Sequence, residues 1–107
     1  MIQATRLALP MPTDRLAEFC KRWNVKEVAL FGSVLRADFR PDSDIDVLVR
    51  LRPGARCSLM DMARMQEDLK GVFGREVDLL DREAVERSRN YIRRRAILSS
   101  AEVVYAA

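Results

Sequence analysis

Residues 31–46 read FGSVLRADFRPDSDID, and they place a small turn after one apolar run and two carboxylates at the start of the next. The preceding run, KEVALF, ends in apolar and aromatic residues and stops at a glycine, as a buried strand does before a tight turn. The following run, IDVLVRL, is also strongly apolar. The stretch therefore predicts strands over 26–31 and 45–51, joined through a Gly-Ser turn, a short helix near 33–38 and a second turn.

Two carboxylates begin the second of these strands. On a strand, Asp44 and Asp46 share one face, and their Cα atoms lie about 6.6 Å apart. Carboxylates that lean together from this separation can bind two divalent cations roughly 3.5–4 Å apart. An Asp-x-Asp at a strand start is often only a solvated edge or a turn cap, so the prediction of a metal site depends on its combination with the Gly-Ser turn.

The Gly-Ser turn has the features of a phosphate site. A helix that begins at Ser33 would present free backbone N–H groups and the positive end of its dipole. Gly32, beside it, has no side chain to block an incoming phosphate. Arg36 lies one turn further on, where it could add charge to the phosphates or form a surface salt bridge instead. We therefore predict nucleotide binding at Gly32 and Ser33, with Arg36 as an additional candidate.

The motif GSVLRADFRPDSDID resembles that of the nucleotidyltransferase superfamily of DNA polymerase beta, and in particular its minimal MNT type. The resemblance extends over most of residues 13–105. It implies that the Gly-Ser turn holds a triphosphate and that two Mg²⁺ ions are bound by Asp44, Asp46 and a third carboxylate from a later strand. Asp78, in REVDLLD, matches that third position and is the candidate base. ATP is the implied substrate.

The resemblance also implies a partner. Larger enzymes of the superfamily have added domains that bind the acceptor, for which 107 residues leave no room. MNT-like proteins pair as a family with HEPN-domain ribonuclease toxins and act as antitoxins by adenylylating a toxin tyrosine. The chain resembles such an antitoxin, so we expect AMP transfer onto a hydroxyl of a HEPN-type toxin. The expected hetero-oligomer would form through the C-terminal Arg-rich segment and the last strand.

Composition limits the alternatives. The chain has no histidine, which excludes Ser-His-Asp and Cys-His nucleophiles and His-ligated zinc. No apolar run approaches the ~20 residues of a membrane span, and the first residues show no secretory signal pattern. Two cysteines form neither a disulfide framework nor a metal-ligand cluster, so a reducing cytoplasm is the expected location. We expect an N-terminal arm, 1–12, and a single domain, 13–107.

Positive charge is concentrated near the C-terminus. The net charge is +3, yet residues 82–95 contain six Arg and two Glu. Such a run indicates an anionic partner or a solvated helix face. Nucleic-acid binding is not favoured, because Tyr91 is the only aromatic residue nearby to stack on bases. A non-catalytic module that masks a partner and an enzyme with a small-molecule acceptor remain the alternative functions.

The other sequence patterns predict helices and strands in alternation, and hence an α/β (α+β) fold with a small mixed sheet and helices mainly on one face. Thr13 is the predicted cap of a helix over 14–23. Ser58 and Asp61 indicate a capping box for a helix that ends at Gly74. The inward residues predicted for these two helices are Leu16, Phe19, Cys20 and Trp23 in the first and Leu59, Met62, Ala63, Leu69 and Phe73 in the second. The later elements are predicted as a strand over 76–80, a helix from Arg82 to about Asn90 capped by Asp81, a helix over 91–98 and a strand over 102–105.

Overall fold

The computed structural model describes residues 12–32 and 44–106, which form four helices and one four-stranded sheet. In chain order these are α1 (Thr13–Trp23), β1 (Val25–Phe31), β2 (Ile45–Leu51), α2 (Leu59–Phe73), β3 (Val77–Asp81), α3 (Arg82–Glu86), α4 (Tyr91–Ser100) and β4 (Glu102–Ala106). The strand order is β3-β2-β1-β4, with β2 and β3 parallel and the other pairs antiparallel. The predicted mixed sheet is confirmed. The predicted arm, apart from Pro12, and the predicted short helix near 33–38 lie outside the described residues.

The larger core cluster joins α1 and α2 to one face of the sheet. Alternate residues of β2 supply the centre of this face, and they are fully buried. The buried members are Leu16, Phe19, Cys20, Val25, Val28, Leu30, Ile45, Val47, Val49, Met65, Leu69, Val72, Val77, Leu79 and Val104. Trp23 packs against this cluster and donates its indole N–H to Asp68 Oδ2 at 2.9 Å, which ties α1 to α2. The stripe predicted for α1 is thus confirmed.

The second face of the sheet has an apolar centre between polar ends. Ala29, Leu48 and Ile97 of α4 form its buried cluster. At the end of the face where β1 begins, charged side chains of the sheet and of α3 are interlinked. The ion pairs join Arg50 Nη2 to Glu86 Oε2 at 2.6 Å, Arg50 Nε to Glu27 Oε1 at 3.7 Å and Arg82 Nη1 to Glu27 Oε1 at 3.3 Å. The other end carries Asp46 and Asp78.

Both predicted ends of α2 are confirmed. Ser58 Oγ accepts from Asp61 N at 3.0 Å, and Asp61 Oδ2 accepts from Ser58 N at 3.1 Å. The hydrogen bond that the Ser58 backbone N–H donates to the Asp61 carboxylate, followed by the Ser58 side chain, holds the pKa of that carboxyl below its usual value. Gly74 ends the helix with φ 71°, in the left-handed region that glycine adopts at little cost.

Loss of the Ser58 cap should destabilise the protein. We expect Ser58→Ala to lower the free energy of unfolding by about 1 kcal/mol, because Asp61 N loses its hydrogen-bond acceptor. Urea titration followed by circular dichroism measures this change. Ser58→Thr is the control, since it keeps a capping hydroxyl. Equal stability of the Ala and Thr variants would contradict the assignment of the Ser58 hydroxyl as the cap of α2.

The predicted cap of α1 was wrong by one residue. Pro12 is the N-cap and Thr13 is the first helical residue. The carbonyl of Pro12 accepts the first intrahelical bond, from Leu16 N at 2.9 Å, and there is no side-chain capping bond. Backbone geometry therefore starts this helix without the hydroxyl cap that Thr13 was predicted to supply.

Two of the inward residues predicted for α2 were also wrong. Leu59 is 90% exposed, and Ala63 is exposed as well. At about 100° per residue, Leu59 lies roughly 120° and Ala63 roughly 160° around the helix from the buried Met65. The inward face of α2 is centred on Met65, Leu69 and Val72.

The helix predicted from Arg82 to about Asn90 is shorter in the structure. Asp81 caps it as predicted, through a bond of 3.1 Å from Glu83 N to Asp81 Oδ1, but α3 ends at Glu86. Asn90 Oδ1 accepts from Arg93 N at 3.1 Å and so begins α4 as a separate helix. The segment thus forms two separate helices, each with its own side-chain N-cap.

The two free cysteines should differ in reactivity. Burial raises the pKa of Cys20 to about 11, while the half-buried Cys57 has a pKa raised by burial and then by Asp61 and Asp81. Because the thiolate is the nucleophile, we expect iodoacetamide at pH 8 to modify Cys57 first and Cys20 only after unfolding. Peptide mass spectrometry locates the label. Faster modification of Cys20 than of Cys57 in the folded protein would contradict the burial of Cys20.

Candidate functional site

The carboxylates predicted from the sequence lie where β2 and β3 begin. The parallel register sets Asp46 directly beside Asp78, and Ile45 N donates to Glu76 O at 3.0 Å just before this pair. Paired residues on neighbouring strands lie about 4.7–4.9 Å apart and point to the same face. The structure thus brings together two carboxylates that are 32 positions apart in the chain.

The third predicted carboxylate, Asp44, immediately precedes β2 and is exposed. It lies two residues before Asp46 in the chain. Within residues 12–32 and 44–106, no three His, Cys, Asp or Glu side chains already form a group that could hold a metal ion. Three carboxylates at one end of two adjacent strands nevertheless offer the hard oxygen ligands that suit Mg²⁺. Joint ligation by Asp44, Asp46 and Asp78 stays a prediction.

Gly32 forms the wall against which the Asp46 carboxylate lies. Its φ of 78° is in the left-handed region, which residues with a Cβ rarely adopt. A Cβ added at Gly32 would lie 3.2 Å from Asp46 Cγ and would collide with Asp46 Oδ2. Asp46 is only half-buried, and Gly32 closes one of its sides. The residue at this turn must therefore be glycine both for its backbone angle and for the space that Asp46 occupies.

Sequence reasoning missed this role of Gly32, since it considered only the approach of a phosphate. The signal lay in the pairing of β1 with β2, which sets Phe31 opposite Asp46 and so brings the next residue, Gly32, to the carboxylate. Pairing register is a tertiary property that the two runs alone do not specify. Ser33 and Arg36, the other predicted nucleotide-binding residues, lie outside the described residues and stay predictions.

Asp78 is open to the surroundings. It is exposed, and β3 is an edge of the described sheet. One backbone donor of this edge is already satisfied, because Leu79 N donates to Gln66 Oε1 of α2 at 3.1 Å. The Asp78 side chain, on the other face from Leu79, can be approached by a large molecule.

No helix of the described residues is long and apolar enough to cross a membrane.

Comparisons with known proteins show which family this chain resembles. The protein-family model of the nucleotidyltransferase domain matches residues 14–102. A Methanocaldococcus jannaschii protein, named as a candidate protein adenylyltransferase, is 43% identical over 56 residues, which are 52% of this chain and 58% of that protein. The protein adenylyltransferase MntA of Thermococcus cleftensis is 34% identical over 68 residues, 64% of this chain and 67% of that one. The matches thus span about six-tenths of these relatives.

A solved structure shows a similar fold. It is the complex of a tri-AMPylated HEPN toxin of Shewanella oneidensis with an MNT antitoxin, and one of its chains matches this one with a TM-score of 0.60. The match covers 90% of this chain and 71% of that chain at 16% identity, so the likeness is one of fold. Because the family model extends over residues 14–102, well beyond half of the sequence, this chain belongs to the nucleotidyltransferase domain family.

Proposed function

We propose that this protein transfers AMP from ATP to a hydroxyl group of a partner protein, and that the partner is a HEPN-type toxin modified on tyrosine. The observation that carries this proposal is the pairing of Asp46 with Asp78 beside the glycine turn. The names of the two adenylyltransferase relatives and the AMPylated toxin in the similar complex support it. We further propose that residues 13–107 form one catalytic domain.

The candidate ligands of two Mg²⁺ ions are Asp44, Asp46 and Asp78. When bound, such ions neutralise the triphosphate and lower the pKa of the acceptor hydroxyl. The Asp46 carboxylate lies against Gly32, whose lack of a side chain leaves the space that the carboxylate occupies. In this proposal the space at Gly32 allows Asp46 to lie next to the phosphates.

We assign the remaining roles from the chemistry of each residue. The acceptor oxygen attacks the α-phosphorus of ATP, the bond to the bridging oxygen of the β-phosphate breaks, and pyrophosphate leaves. Asp78, exposed on the edge strand, accepts the hydroxyl proton. In this proposal the backbone at Gly32 lies against the phosphates, the Ser33 hydroxyl donates to a phosphate oxygen, and Arg36 adds positive charge.

The proposal is tested by incubating the purified protein with Mg²⁺, ATP labelled at the α-phosphate and the protein encoded by the neighbouring reading frame. We expect the label on a tyrosine of that protein, with equimolar pyrophosphate and no reaction in EDTA. Label on an added aminoglycoside or nucleotide in place of the protein would favour a small-molecule acceptor. A stable complex without any labelling would favour a non-catalytic antitoxin.

A further inference from the structure

Gln66 of α2 contacts the strand that carries Asp78. Its side-chain oxygen Oε1 accepts a hydrogen bond from Leu79 N at 3.1 Å, between residues that are 13 positions apart in the chain. Leu79 is the residue directly after Asp78. One side chain of α2 therefore holds the backbone beside the candidate base.

This hydrogen bond lies on the outer side of β3. Backbone groups of successive strand residues point alternately to the two sides of a strand, and Glu76 O accepts from Ile45 N on the side of β2. The backbone groups of Asp78 therefore point toward β2, and those of Leu79 point to the outer side. Because β3 is an edge of the described sheet, no strand of the described residues pairs with that side. Gln66 takes the place that a neighbouring strand would have at Leu79.

Gln66 projects from a well-packed part of the fold. Met65 and Leu69 of the same helix are fully buried in the larger core cluster. At about 100° per residue, Gln66 lies roughly 60° around α2 from Leu69, at the border of the inward face. Its half-buried side chain thus reaches β3 from a helix that cannot shift without disturbing the core.

The direction of the Asp78 side chain follows the position of its backbone. Val77 and Leu79, on either side of it, are buried in the core, whereas Asp78 points to the opposite face and is exposed. An exposed side chain on an edge strand has few packing contacts, and such an edge opens locally at low cost in free energy. The backbone at this point is held by β2 on one side and by Gln66 on the other.

We propose that Gln66 is a positioning residue for Asp78. By holding the outer side of β3, Gln66 keeps the Asp78 carboxylate beside that of Asp46, where the two can bind the same cation. Replacing a residue that supports a metal ligand commonly lowers metal affinity or activity by about 10–100-fold. The role in AMP transfer rests on the proposed function, whereas the hold on β3 rests on the hydrogen bond alone.

Three variants separate positioning from stability. Gln66→Met has nearly the same length without the oxygen acceptor, Gln66→Glu keeps an acceptor, and Ser58→Ala destabilises the other end of α2 without changing a contact of β3. Amide hydrogen exchange measured by NMR reports local opening at Leu79. We expect this exchange to be roughly 10-fold or more faster in Gln66→Met than in Ser58→Ala, and close to that of the wild type in Gln66→Glu.

Binding of Mn²⁺ in the presence of a non-hydrolysable ATP analogue, followed by electron paramagnetic resonance, tests the effect on the carboxylates. Gln66→Met should weaken Mn²⁺ binding by about 10-fold, while Ser58→Ala and Gln66→Glu should stay within about three-fold of the wild type. In the AMP-transfer assay at saturating Mg²⁺ and ATP, Gln66→Met should lower the rate by about 10-fold.

Unchanged exchange at Leu79 in Gln66→Met would overturn the proposal. Absence of Mn²⁺ binding by the wild type, or equal Mn²⁺ affinity in Gln66→Met and Ser58→Ala, would overturn it as well. A transfer rate of Gln66→Met equal to that of Ser58→Ala would refute the role in catalysis. If Mn²⁺ binding weakens as expected but the wild type transfers no AMP, the positioning of Asp78 stands and the proposed reaction fails.

Discussion

Asp46→Asn should reduce the rate of AMP transfer by roughly 100-fold or more. Changing even the residues that support metal ligands commonly lowers metal affinity or activity by about 10–100-fold. Asp46 is paired in register with Asp78 and lies two residues after Asp44 in the chain. The amide is nearly isosteric but lacks the negative charge. Label transferred per minute from α-labelled ATP measures the effect.

The matched control is Asp14→Asn, which removes one carboxylate from the exposed first turn of α1. We expect this variant to retain the activity of the wild type within about two-fold, because α1 packs on the other face of the sheet. Circular dichroism should show that both variants remain folded. Equal activity of Asp46→Asn and Asp14→Asn would contradict the assigned role of Asp46.

Gly32→Ala should remove activity and stability together, whereas Gly54→Ala should remove stability alone. The two glycines have nearly the same positive φ, 78° and 82°. Alanine at either position must adopt a left-handed conformation, which costs about 1–2 kcal/mol of folding free energy. The difference between the sites is space, since a Cβ at Gly54 meets nothing within 4 Å but one at Gly32 collides with Asp46.

Comparison of the two variants separates backbone strain from displacement of the carboxylate. Urea titration measures the unfolding free energy of each, and the AMP-transfer assay measures its activity. We expect a loss of activity of roughly 100-fold for Gly32→Ala and less than two-fold for Gly54→Ala, because a misplaced catalytic group can cost this much. Full activity in Gly32→Ala would show that the contact between Gly32 and Asp46 has no functional importance.

The parts of the fold that the sequence predicted well are those in which neighbouring residues determine the structure. Ser58 and Asp61 complete their hydrogen bonds within a single turn, and Gly74 ends the same helix through its own backbone angle. The strand over 45–51 was predicted with the observed bounds because alternation of apolar residues is a local pattern.

The errors occurred where the deciding contact is distant or where two local signals compete. Leu59 is apolar and was predicted to face inward, but the sheet packs against the side of α2 that carries Met65. In the candidate site, the sequence identified Asp46 and Asp78 separately, with the second taken from a family resemblance. The pairing of β2 with β3 places Asp46 and Asp78 side by side. The pairing of β1 with β2 brings Gly32 against Asp46. The packing of α4 on Ala29 and Leu48 depends on tertiary contacts, for which the sequence carries no local signal.

The most direct test of the proposed activity is the intact mass of the neighbouring-frame protein after co-expression with this chain. We predict that the wild type adds one or more AMP units to the partner, that fragmentation places them on tyrosine, and that Asp46→Asn adds none. The co-purified complex should persist with Asp46→Asn, because the amide has nearly the same shape as the carboxylate. An unmodified partner in a stable complex with the wild type, or equal modification with Asp46→Asn, would contradict AMP transfer by these carboxylates.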